Sequence, residues 1–315
     1  MSKVSVIMPA YNAGKFIKEA IESILAQTHQ DWELLILDDA SSDKTFEVIS
    51  TFSDPRILIQ SNAENQGYLK SCNLLFELAT GEYLTFLDAD DTCSNNRFEQ
   101  CISAIEMQQV DFITTDFAKT HESGKIDRCK TEIDYNKVAS NPNYYPTICC
   151  ATAFVKTNLV KQVGGYHTIF DRIGAEDYHW LFRLARQGKG AHLPIDLYRY
   201  MQHENQIRNQ IDPAHFIAHN LDLAIRKKLI QNDEDLLSQI NSKKLHKIKA
   251  NLLEPFRKDA TLILRHKSIQ NLNSDKWAKA ISVMFQAIAI APLNMANWQR
   301  LSYILYVICR RSIRI

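Results

Sequence analysis

Residues 4–45 read VSVIMPAYNAGKFIKEAIESILAQTHQDWELLILDDASSDKT, and the order of apolar residues in this stretch decides the fold. Two apolar runs, 3–8 and 33–38, have the length and the β-branched composition of buried strands. Between the two runs, isoleucine and leucine recur at helical spacing from 17 to 25. The stretch therefore predicts a strand, a helix that covers it, and a second strand.

The same alternation of strand and helix continues to residue 116. The sequence predicts three more strands, at 56–60, 82–88 and 111–116, and two more helices, at 72–79 and 98–105. Such alternation is typical of an α/β fold in which helices cover both faces of a mostly parallel, Rossmann-like sheet. From about residue 215, lysine-rich helical patterns replace the β-branched runs. We therefore predict an α/β domain at 1–214 and a helical C-terminal extension at 215–315.

The composition of the chain limits the classes of function. The net charge of +1 over 315 residues provides no overall basic field, so we expect no nucleic-acid partner. The seven cysteines form no C-x-x-C pair, which argues against a zinc site or a disulfide framework and favours a reducing compartment. The N-terminus lacks a signal-peptide pattern, and no run reaches the roughly 18 apolar residues of a membrane span. We expect a cytoplasmic protein.

Polar side chains follow three of the predicted strands. Tyr11 and Asn12 follow the first strand, DDASSD (38–43) the second, and DADD (88–91) the fourth. Taken alone, DDASSD could be a helix-capping turn and DADD a solvated turn. Open α/β sheets, however, bind ligands at the carboxyl ends of their strands, so the three ends would converge on one crevice. Magnesium and manganese prefer carboxylate ligands together with substrate phosphates, and we therefore favour a divalent-cation site.

Several segments resemble the family 2 glycosyltransferases, inverting enzymes with a GT-A fold. They are the opening stretch, NQGYLKSCN (65–73), GEYLTFLDADD (81–91) and VGGYHTIFDRIGAEDYHWLFRLARQG (163–188). The resemblance covers residues 3 to about 210. It implies transfer of a sugar from a nucleotide diphosphate-sugar, with a preference for uridine, to a hydroxyl of a glycan or lipid-linked acceptor in surface polysaccharide biosynthesis.

The resemblance also implies which residues bind the donor and the metal. The donor-binding candidates are Pro9, Ala10, Tyr11, Asp39, Asn65, Gly67, Lys70 and Asp88. Asp39 matches the acid that hydrogen-bonds the nucleotide base, and Asp88 the acid that contacts the ribose. The candidates for holding Mn²⁺ or Mg²⁺ are Asp88, Asp90, Asp91 and His203. Cys72 stands where relatives often carry an arginine, so either Lys70 substitutes or that contact is missing.

The catalytic candidates are Asp177, as the base, and Glu176 beside it. An acceptor hydroxyl has a pKa far above neutrality, so a positioned carboxylate has to take its proton as the new bond forms. Asp177 begins a predicted helix, and a helix N-terminus favours the ionised carboxylate that a base requires. The alternative interpretation of this acid is a purely stabilising role at the helix start.

Two other functions compete with a glycosyltransferase. A non-catalytic sugar-binding or assembly subunit would have no reason to keep Asp88, Asp90, Glu176 and Asp177 together. A nucleotidyltransferase would require a glycine-rich loop that binds the triphosphate. The segment PAYNAGKF (9–16) matches such a loop poorly.

The end of the chain contains an apolar run, 301–309, between Arg300 and the arginines at 310, 311 and 314. A helix of this kind can lie in the interface of a membrane, or it can pack as a terminal helix. The hypothesis is a peripheral contact with the inner face of the membrane through five apolar residues, Trp298, Leu301, Ile304, Leu305 and Ile308.

Overall fold

The computed structural model describes residues 2–203, 213–232, 261–273 and 277–312, with isolated positions between 250 and 259. The chain divides into two compact units, which consist of Met1–Gln206 with Leu221–Leu236 and of Ile207–Asn220 with Leu237–Ile315. Residues 221–232 thus belong to the first unit, although they follow the domain boundary expected at 214. That boundary stays a prediction.

Within the described residues, nine strands form a single sheet. The strands are β1 Val4–Ala10, β2 Trp32–Asp38, β3 Ile57–Ser61, β4 Tyr83–Phe86, β5 Thr92–Cys93, β6 Phe112–His121, β7 Ile126–Cys129, β8 Phe154–Lys156 and β9 Gly190–Gln202. Their order is β3-β2-β1-β4-β8-β6-β9-β5, and β7 pairs with β6. Strands β3, β2, β1 and β4 are parallel, whereas β8 joins β4 and β6 antiparallel.

Helices follow most strands of the first unit. They are α1 Ile17–Leu25, α2 Thr45–Ile49, α3 Tyr68–Leu78, α4 Arg97–Gln108, α5 Tyr135–Ser140, α6 Thr157–Val163 and α7 Glu176–Gln187. Next come α8 Pro213–Asn232, α9 Leu262–Asn273, α10 Trp277–Ile290 and α11 Met295–Ser312. The five strands and three helices expected before residue 121 are all present, and the predicted α/β fold is confirmed.

Burial explains why the opening stretch folds as it does. Both β1 and β2 are buried along their whole length, as parallel strands covered on two faces require. Helix α1 buries Ile17, Ile21 and Ile24 completely in the core cluster that contains the residues of β1 and β2. Each such side chain stabilises the fold by about 1.5–3 kcal/mol. The polar residues that follow β1 and β2 are therefore held at the carboxyl edge of the sheet.

Strand β9 is absent from the sequence-based expectation, yet it is the longest strand described. It runs parallel to β6, but its register shifts where Leu193 pairs with Thr115 and Asp196 with Asp116. The shift leaves Pro194 and Ile195 outside the ladder, which suits a residue without an amide hydrogen. The end of β9 leads the chain to His203.

The described helices of the second unit pack around their own small core. This core contains Leu272, Met284, Ala287, Leu301 and Ile304. Since Leu301 and Ile304 are buried there, they cannot form the membrane-facing surface that the sequence suggested, and that part of the prediction is wrong. Among the helices in the described ranges, none combines the length and the hydropathy needed to cross a bilayer.

Candidate active site

Asp91 lies at the bottom of the acid cluster that follows β4. Its amide donates a hydrogen bond to the Asp88 carbonyl at 3.0 Å, which closes a tight turn. The side chain is 1% exposed, and its Oδ1 accepts a hydrogen bond from the Met201 amide of β9 at 2.8 Å. Burial raises the pKa of Asp91 well above its usual range, and Asp90 adds to this effect. The carboxylate that lies deepest in the cluster is thus anchored from β9.

Asp88 is held by two tyrosines, one on each side. The Tyr68 hydroxyl donates to its Oδ1 at 3.0 Å, and its own amide donates to the Tyr198 hydroxyl at 3.2 Å. Burial and the charge of Asp90 raise the pKa of Asp88 to about 7, and Asp177 contributes to the same shift. The Tyr68 ring also stacks on Tyr166, which packs on Trp180, so ring contacts connect the residues after β4 to α7.

Asp90 and His203 meet at the rim of this space. The His203 Nε2 lies 3.0 Å from Asp90 Oδ2, and the imidazole stacks on the Phe16 ring with centroids 4.6 Å apart. The structure thus places His203 against Asp90, in the loop after β4 that also contains Asp88 and Asp91; the binding of a metal by these four residues stays a prediction.

The chemistry of these residues fits a divalent cation. Asp91 Oδ2 is buried and has no hydrogen-bond partner in the described part of the chain, so an oxygen ligand is left over. The described residues contain no ready-made group of three or more acidic, histidine or cysteine side chains in metal-binding geometry. Magnesium and manganese sites often use one or two carboxylates and complete the shell with substrate phosphates. An acid cluster of this kind suits a cation that binds together with a diphosphate.

A buried arginine lies behind the acids. Arg97, the first residue of α4, is fully buried and donates to the Phe86 carbonyl at 2.9 Å and to Thr85 Oγ1 at 2.8 Å. Its charge lowers the pKa of Asp88, against the larger effects of burial and Asp90. The Arg97 guanidinium also lies 5.0 Å from the centre of the Tyr198 ring. It therefore provides positive charge beneath a site with several carboxylates.

Asp39 organises the loop before α3. Its Oδ1 accepts hydrogen bonds from Asn62 Nδ2 at 2.7 Å and from the Gln66 amide at 2.9 Å, and its Oδ2 accepts one from the Gly67 amide at 2.8 Å. Gly67 has a φ of +93°, a backbone conformation that residues other than glycine rarely adopt. The buried carboxylate thus fixes the backbone of residues 62–67; its contact with a nucleotide base stays a prediction.

The other donor candidates lie on or near the same loop. Lys70 Nζ lies 4.0 Å from Asp171, and Arg172 Nη2 donates to the Asn65 carbonyl and to Asn65 Oδ1, each at 3.2 Å. Cys72 is completely buried and offers no cation. The exposed positive groups near this loop include Lys70, in the first turn of α3, and Arg172, before α7, the latter of which sequence reasoning missed.

The first loop lies at the end of β1. Pro9 and Ala10 end this strand and are buried, whereas the Tyr11 side chain is 52% exposed and can cover a ligand. The next residue, Asn12, has a φ of +50° and accepts a hydrogen bond from the Ser42 amide at 2.8 Å. This contact ties the loop after β1 to the loop after β2.

Glu176 and Asp177 lie in the first turn of α7, and burial raises the pKa of both carboxyl groups. Burial and the charge of Asp177 raise the pKa of Glu176 to about 8, and its Oε2 has no partner among the described residues. Burial also raises the pKa of Asp177, but the Tyr178 amide donates to its Oδ1 at 2.6 Å and opposes the shift. The Tyr178 amide thus favours the ionised form of Asp177.

The backbone before α7 is strained. Arg172, Gly174 and Ala175 have φ values of +58°, +88° and +70°, all in the left-handed region. Ala175 is the residue at the helix N-cap. Such conformations in residues other than glycine are costly and concentrate at functional sites.

Three residues of the site carried no clear signal in the sequence. Tyr198 belongs to the unpredicted strand β9, and Arg97 looks like any surface arginine at a helix start. Tyr68 falls inside the segment NQGYLKSCN, where its position between Gly67 and Lys70 could have suggested contact with the acid cluster.

Comparison of the chain with known proteins gives consistent matches. The family model described as "Glycosyl transferase family 2" matches residues 5–155. The UDP-Glc:alpha-D-GlcNAc-diphosphoundecaprenol beta-1,3-glucosyltransferase WfgD of Escherichia coli is 33% identical over 181 residues, which are 56% of this chain and 68% of WfgD.

Solved structures with 18% sequence identity share the fold. The S. aureus TarS fragment 1–349 in complex with UDP-GlcNAc matches with a TM-score of 0.61, over 91% of this chain and 80% of that fragment. The mannosyltransferase PcManGT of Pyrobaculum calidifontis, in complex with GDP-Man and Mn²⁺, matches with a TM-score of 0.55, over 98% and 85% of the two chains.

Proposed function

The chain belongs to glycosyl transferase family 2, and from that premise we propose that it is a metal-dependent, inverting enzyme of surface polysaccharide biosynthesis. In this proposal the donor is a UDP-sugar and the acceptor is a hydroxyl of a glycan or a lipid-linked saccharide. The name of WfgD, which specifies UDP-glucose and a diphosphoundecaprenol-linked acceptor, supports both assignments.

One observation carries the proposal, namely that side-chain contacts connect the acids after β4 to the helix that carries the second group of acids. Tyr68 donates to Asp88 and stacks on Tyr166, and Tyr166 packs on Trp180 of α7, the helix that begins with Glu176 and Asp177. The acids after β4 therefore suit the leaving diphosphate and its cation, and the acids at the start of α7 suit the acceptor hydroxyl. A site that only binds sugars has no need for buried, mutually repelling carboxylates.

The residues divide the reaction between them. Asp177 takes the proton of the acceptor hydroxyl while this oxygen attacks the anomeric carbon, because its ionised form is stabilised by the Tyr178 amide. Glu176, with a pKa of about 8, is mostly protonated at neutral pH and can donate a hydrogen bond instead. Attack from the side opposite the leaving group inverts the configuration at the anomeric carbon.

The departing nucleoside diphosphate gains negative charge, which the site has to stabilise. Manganese or magnesium, held by Asp90 with Asp88, Asp91 and His203, would act as a Lewis acid on this leaving group. The presence of Mn²⁺ in the PcManGT structure supports this cofactor. The Asp39 carboxylate holds residues 62–67 in place for the nucleotide, and Lys70 of α3 and Arg172 before α7 offer positive charge beside this loop.

The test is a screen of the purified protein against nucleotide sugars. The assay scores release of nucleoside diphosphate in the presence of a diphosphoprenol-linked saccharide, with Mn²⁺, with Mg²⁺ and after treatment with a chelator. We expect release from a UDP-sugar only with a cation present. Undiminished turnover without metal would refute the metal role, and no turnover of any donor would refute the transferase reaction.

A peripheral membrane contact forms the second part of the proposal, with a surface different from the one first expected. The exposed face of α11 carries Met295, Trp298, Tyr303, Leu305 and Tyr306, whose exposed fractions lie between 44% and 67%. Tryptophan and tyrosine favour the interface between lipid headgroups and acyl chains. Arg300 on the same helix, and the arginines at 310, 311 and 314 in the sequence, would each add about 1 kcal/mol on an anionic surface.

Sedimentation with phosphatidylglycerol vesicles tests this contact. We expect the protein to sediment at low salt and to be released at high salt, since exposed charges are screened. A triple variant, Trp298→Ser with Leu305→Ser and Tyr306→Ser, should stay in the supernatant. The matched control replaces three exposed apolar residues of the first unit by serine, Phe46, Leu58 and Met107, and should sediment normally. Equal sedimentation of both variants would refute the α11 surface.

A further inference from the structure

Helix α8 contributes a buried ionic network to the first unit. Asp222 is fully buried, and its Oδ1 lies 2.9 Å from His179 Nδ1 of α7. Its Oδ2 accepts a hydrogen bond from the Tyr145 hydroxyl at 2.8 Å and lies 2.8 Å from Arg226 Nε. Arg226 is 1% exposed, and its guanidinium packs on the rings of Tyr145 and Phe182. One carboxylate thus joins α7, α8 and the segment before the 3₁₀ turn at 150–152.

The charges of the network are balanced. Burial favours a protonated Asp222, but His179 and Arg226 outweigh this effect and hold the pKa of Asp222 below its usual range. Burial lowers the pKa of His179, so the imidazole is neutral at physiological pH. A neutral imidazole beside a carboxylate donates from Nδ1, which fixes its tautomer and ring orientation. The network therefore has one defined arrangement, with an Asp222–Arg226 ion pair and an oriented His179.

A direct contact connects this network to the acidic turn of α7. Arg226 Nη2 donates to the Tyr178 carbonyl at 2.6 Å. The amide of the same Tyr178 donates to Asp177 Oδ1 at 2.6 Å, and its hydroxyl donates to the Pro146 carbonyl at 3.1 Å. Asp177 and His179 are the two neighbours of Tyr178 in the chain. The network therefore holds Tyr178 and His179, the two residues that follow Asp177 in α7.

Buried ion pairs of this kind are weak sources of stability, because the loss of solvation offsets much of the attraction. Their conformational effect is larger, since a buried polar network restricts the arrangement of its members, although His179 Nε2 and Arg226 Nε have no hydrogen-bond partner among the described residues. The backbone before α7 is strained at Arg172 and Ala175, and a strained segment persists only when its surroundings hold it. The network supplies such support on the C-terminal side of the strained turn.

We propose that Asp222 and Arg226 of α8 are positioning residues for the reaction: they hold the first turn of α7 so that Asp177 meets the acceptor hydroxyl. The proposal rests on the proposed transferase function. Both residues lie outside the matched region 5–155 and beyond the segments that resemble the family in sequence. Residues 221–232 of α8 are then part of the catalytic unit.

The experiment compares two buried histidine–aspartate pairs of the same unit. Asp222→Asn keeps the shape of the side chain but removes the charge that pairs with Arg226. The control is Asp116→Asn, because Asp116 lies 3.0 Å from His192 Nε2 and both side chains are 9% exposed. Thermal unfolding, donor binding by titration calorimetry, and kcat and KM for donor and acceptor are measured for the parent and both variants.

We expect Asp222→Asn to lower kcat by roughly 10- to 100-fold, as displacement of a reacting group by about 1 Å does, while donor affinity stays within about twofold. Asp116→Asn should lower the unfolding temperature to a similar extent with kcat within about threefold. Equal kcat values for the two variants would overturn the proposal. A parent protein without turnover would instead contradict the transferase function, so the two failures are distinguishable.

Arg226→Lys provides an independent test that does not depend on how well Asp222→Asn folds. Lysine keeps a cation beside Asp222 but lacks the planar fork that reaches both Asp222 and the Tyr178 carbonyl. We expect kcat to fall with donor affinity unchanged, and the effects of Arg226→Lys and Asp222→Asn to be non-additive in the double variant. Full kcat in a folded Arg226→Lys protein would overturn the proposal.

Discussion

His203 Nε2 lies 3.0 Å from Asp90 Oδ2, although 113 residues separate the two in the chain. The contact forms because β9 runs parallel to β6, while β5, just after the acid cluster, pairs antiparallel with β9 near its end. His203 and Asp90 therefore reach the rim of the site from opposite directions along the chain.

Replacing His203 by alanine should weaken metal binding. We expect the apparent affinity for Mn²⁺ in the presence of UDP to fall by about 10- to 100-fold, the range typical for residues that support a metal site. Calorimetric titration of Mn²⁺ measures the effect. His121→Ala is the control, because His121 forms a similar 2.9 Å contact with Asp127 on the β6–β7 hairpin. An unchanged affinity in His203→Ala would exclude His203 from the metal site.

Asp177→Asn should separate chemistry from donor binding. The variant loses the proton acceptor, so we expect turnover to fall by about 100- to 10,000-fold, the usual contribution of general base catalysis. Donor affinity should persist, because Asp177 is assigned to the acceptor. Steady-state kinetics and calorimetric donor titration test both statements. If turnover stayed near normal, the base would lie elsewhere, and Glu176→Gln would be the next variant to measure.

The stability of the metal-free protein should fall as the pH rises from about 5 to 8. Burial and Asp177 raise the pKa of Glu176 to about 8 in the folded state, whereas its value in the unfolded chain is near 4.3. Between these values the folded state binds more protons than the unfolded state, so the free energy of unfolding decreases with increasing pH. The contribution of Glu176 to stability is thus greatest below the pKa that this residue has in the unfolded chain. It is lost as the pH approaches the pKa of Glu176 in the folded state.

Unfolding temperatures measured across this pH range test the linkage, with Glu176→Gln as the informative variant. Glutamine removes the titrating group, so the pH dependence should become shallower. Glu106→Gln, on α4, is the control and should retain the slope of the parent. A parent protein whose unfolding temperature rises between pH 5 and 8 would contradict the assignment.

Sequence reasoning found the part of the site that lies at the ends of parallel strands. Strands β1, β2 and β4 are continuous apolar runs because both of their faces are buried, and this pattern is visible in a single sequence. The polar residues that follow such runs meet at the carboxyl edge of the sheet. The strand pattern alone therefore places Asp39 and Asp88 near each other.

The remaining parts of the site depend on features without a sequence pattern. Strand β9 is half-buried, contains Pro194 at a shift of register, and pairs Asp196 with Arg199 within the strand, so it does not read as a strand. The network of Asp222 depends on where α8 packs. Sequence reasoning assigned Leu301 and Ile304 to the exposed surface of α11, because apolar residues occur on two sides of this helix. A single sequence does not tell which of the two sides is buried.

Asp39→Asn should loosen the loop before α3. One of the two carboxylate oxygens becomes an amide NH₂ that faces either the Gly67 amide or the Gln66 amide, and a buried donor left unpaired costs about 1–3 kcal/mol. We expect the donor KM to rise more than kcat falls. Asp38→Asn is the control, since among the described residues the Asp38 carboxylate accepts only a longer, 3.4 Å bond from the Ser41 amide. Equal donor KM values in the two variants would contradict the role of Asp39.

Ala175→Gly should stabilise the protein and slow the reaction. An L-residue in the left-handed region costs roughly 1–2 kcal/mol, and glycine removes most of this strain but gains freedom in the unfolded chain, so the expected net stabilisation is about 0.5–1 kcal/mol. Because the turn that carries Glu176 and Asp177 becomes less constrained, kcat should decrease. Gln109→Gly is the matched control, since Gln109 has a φ of +52° at the end of α4 and should give a similar stabilisation with unchanged kcat. Chemical denaturation and steady-state kinetics measure both effects, and a stabilised Ala175→Gly protein with full kcat would show that the strain has no part in catalysis.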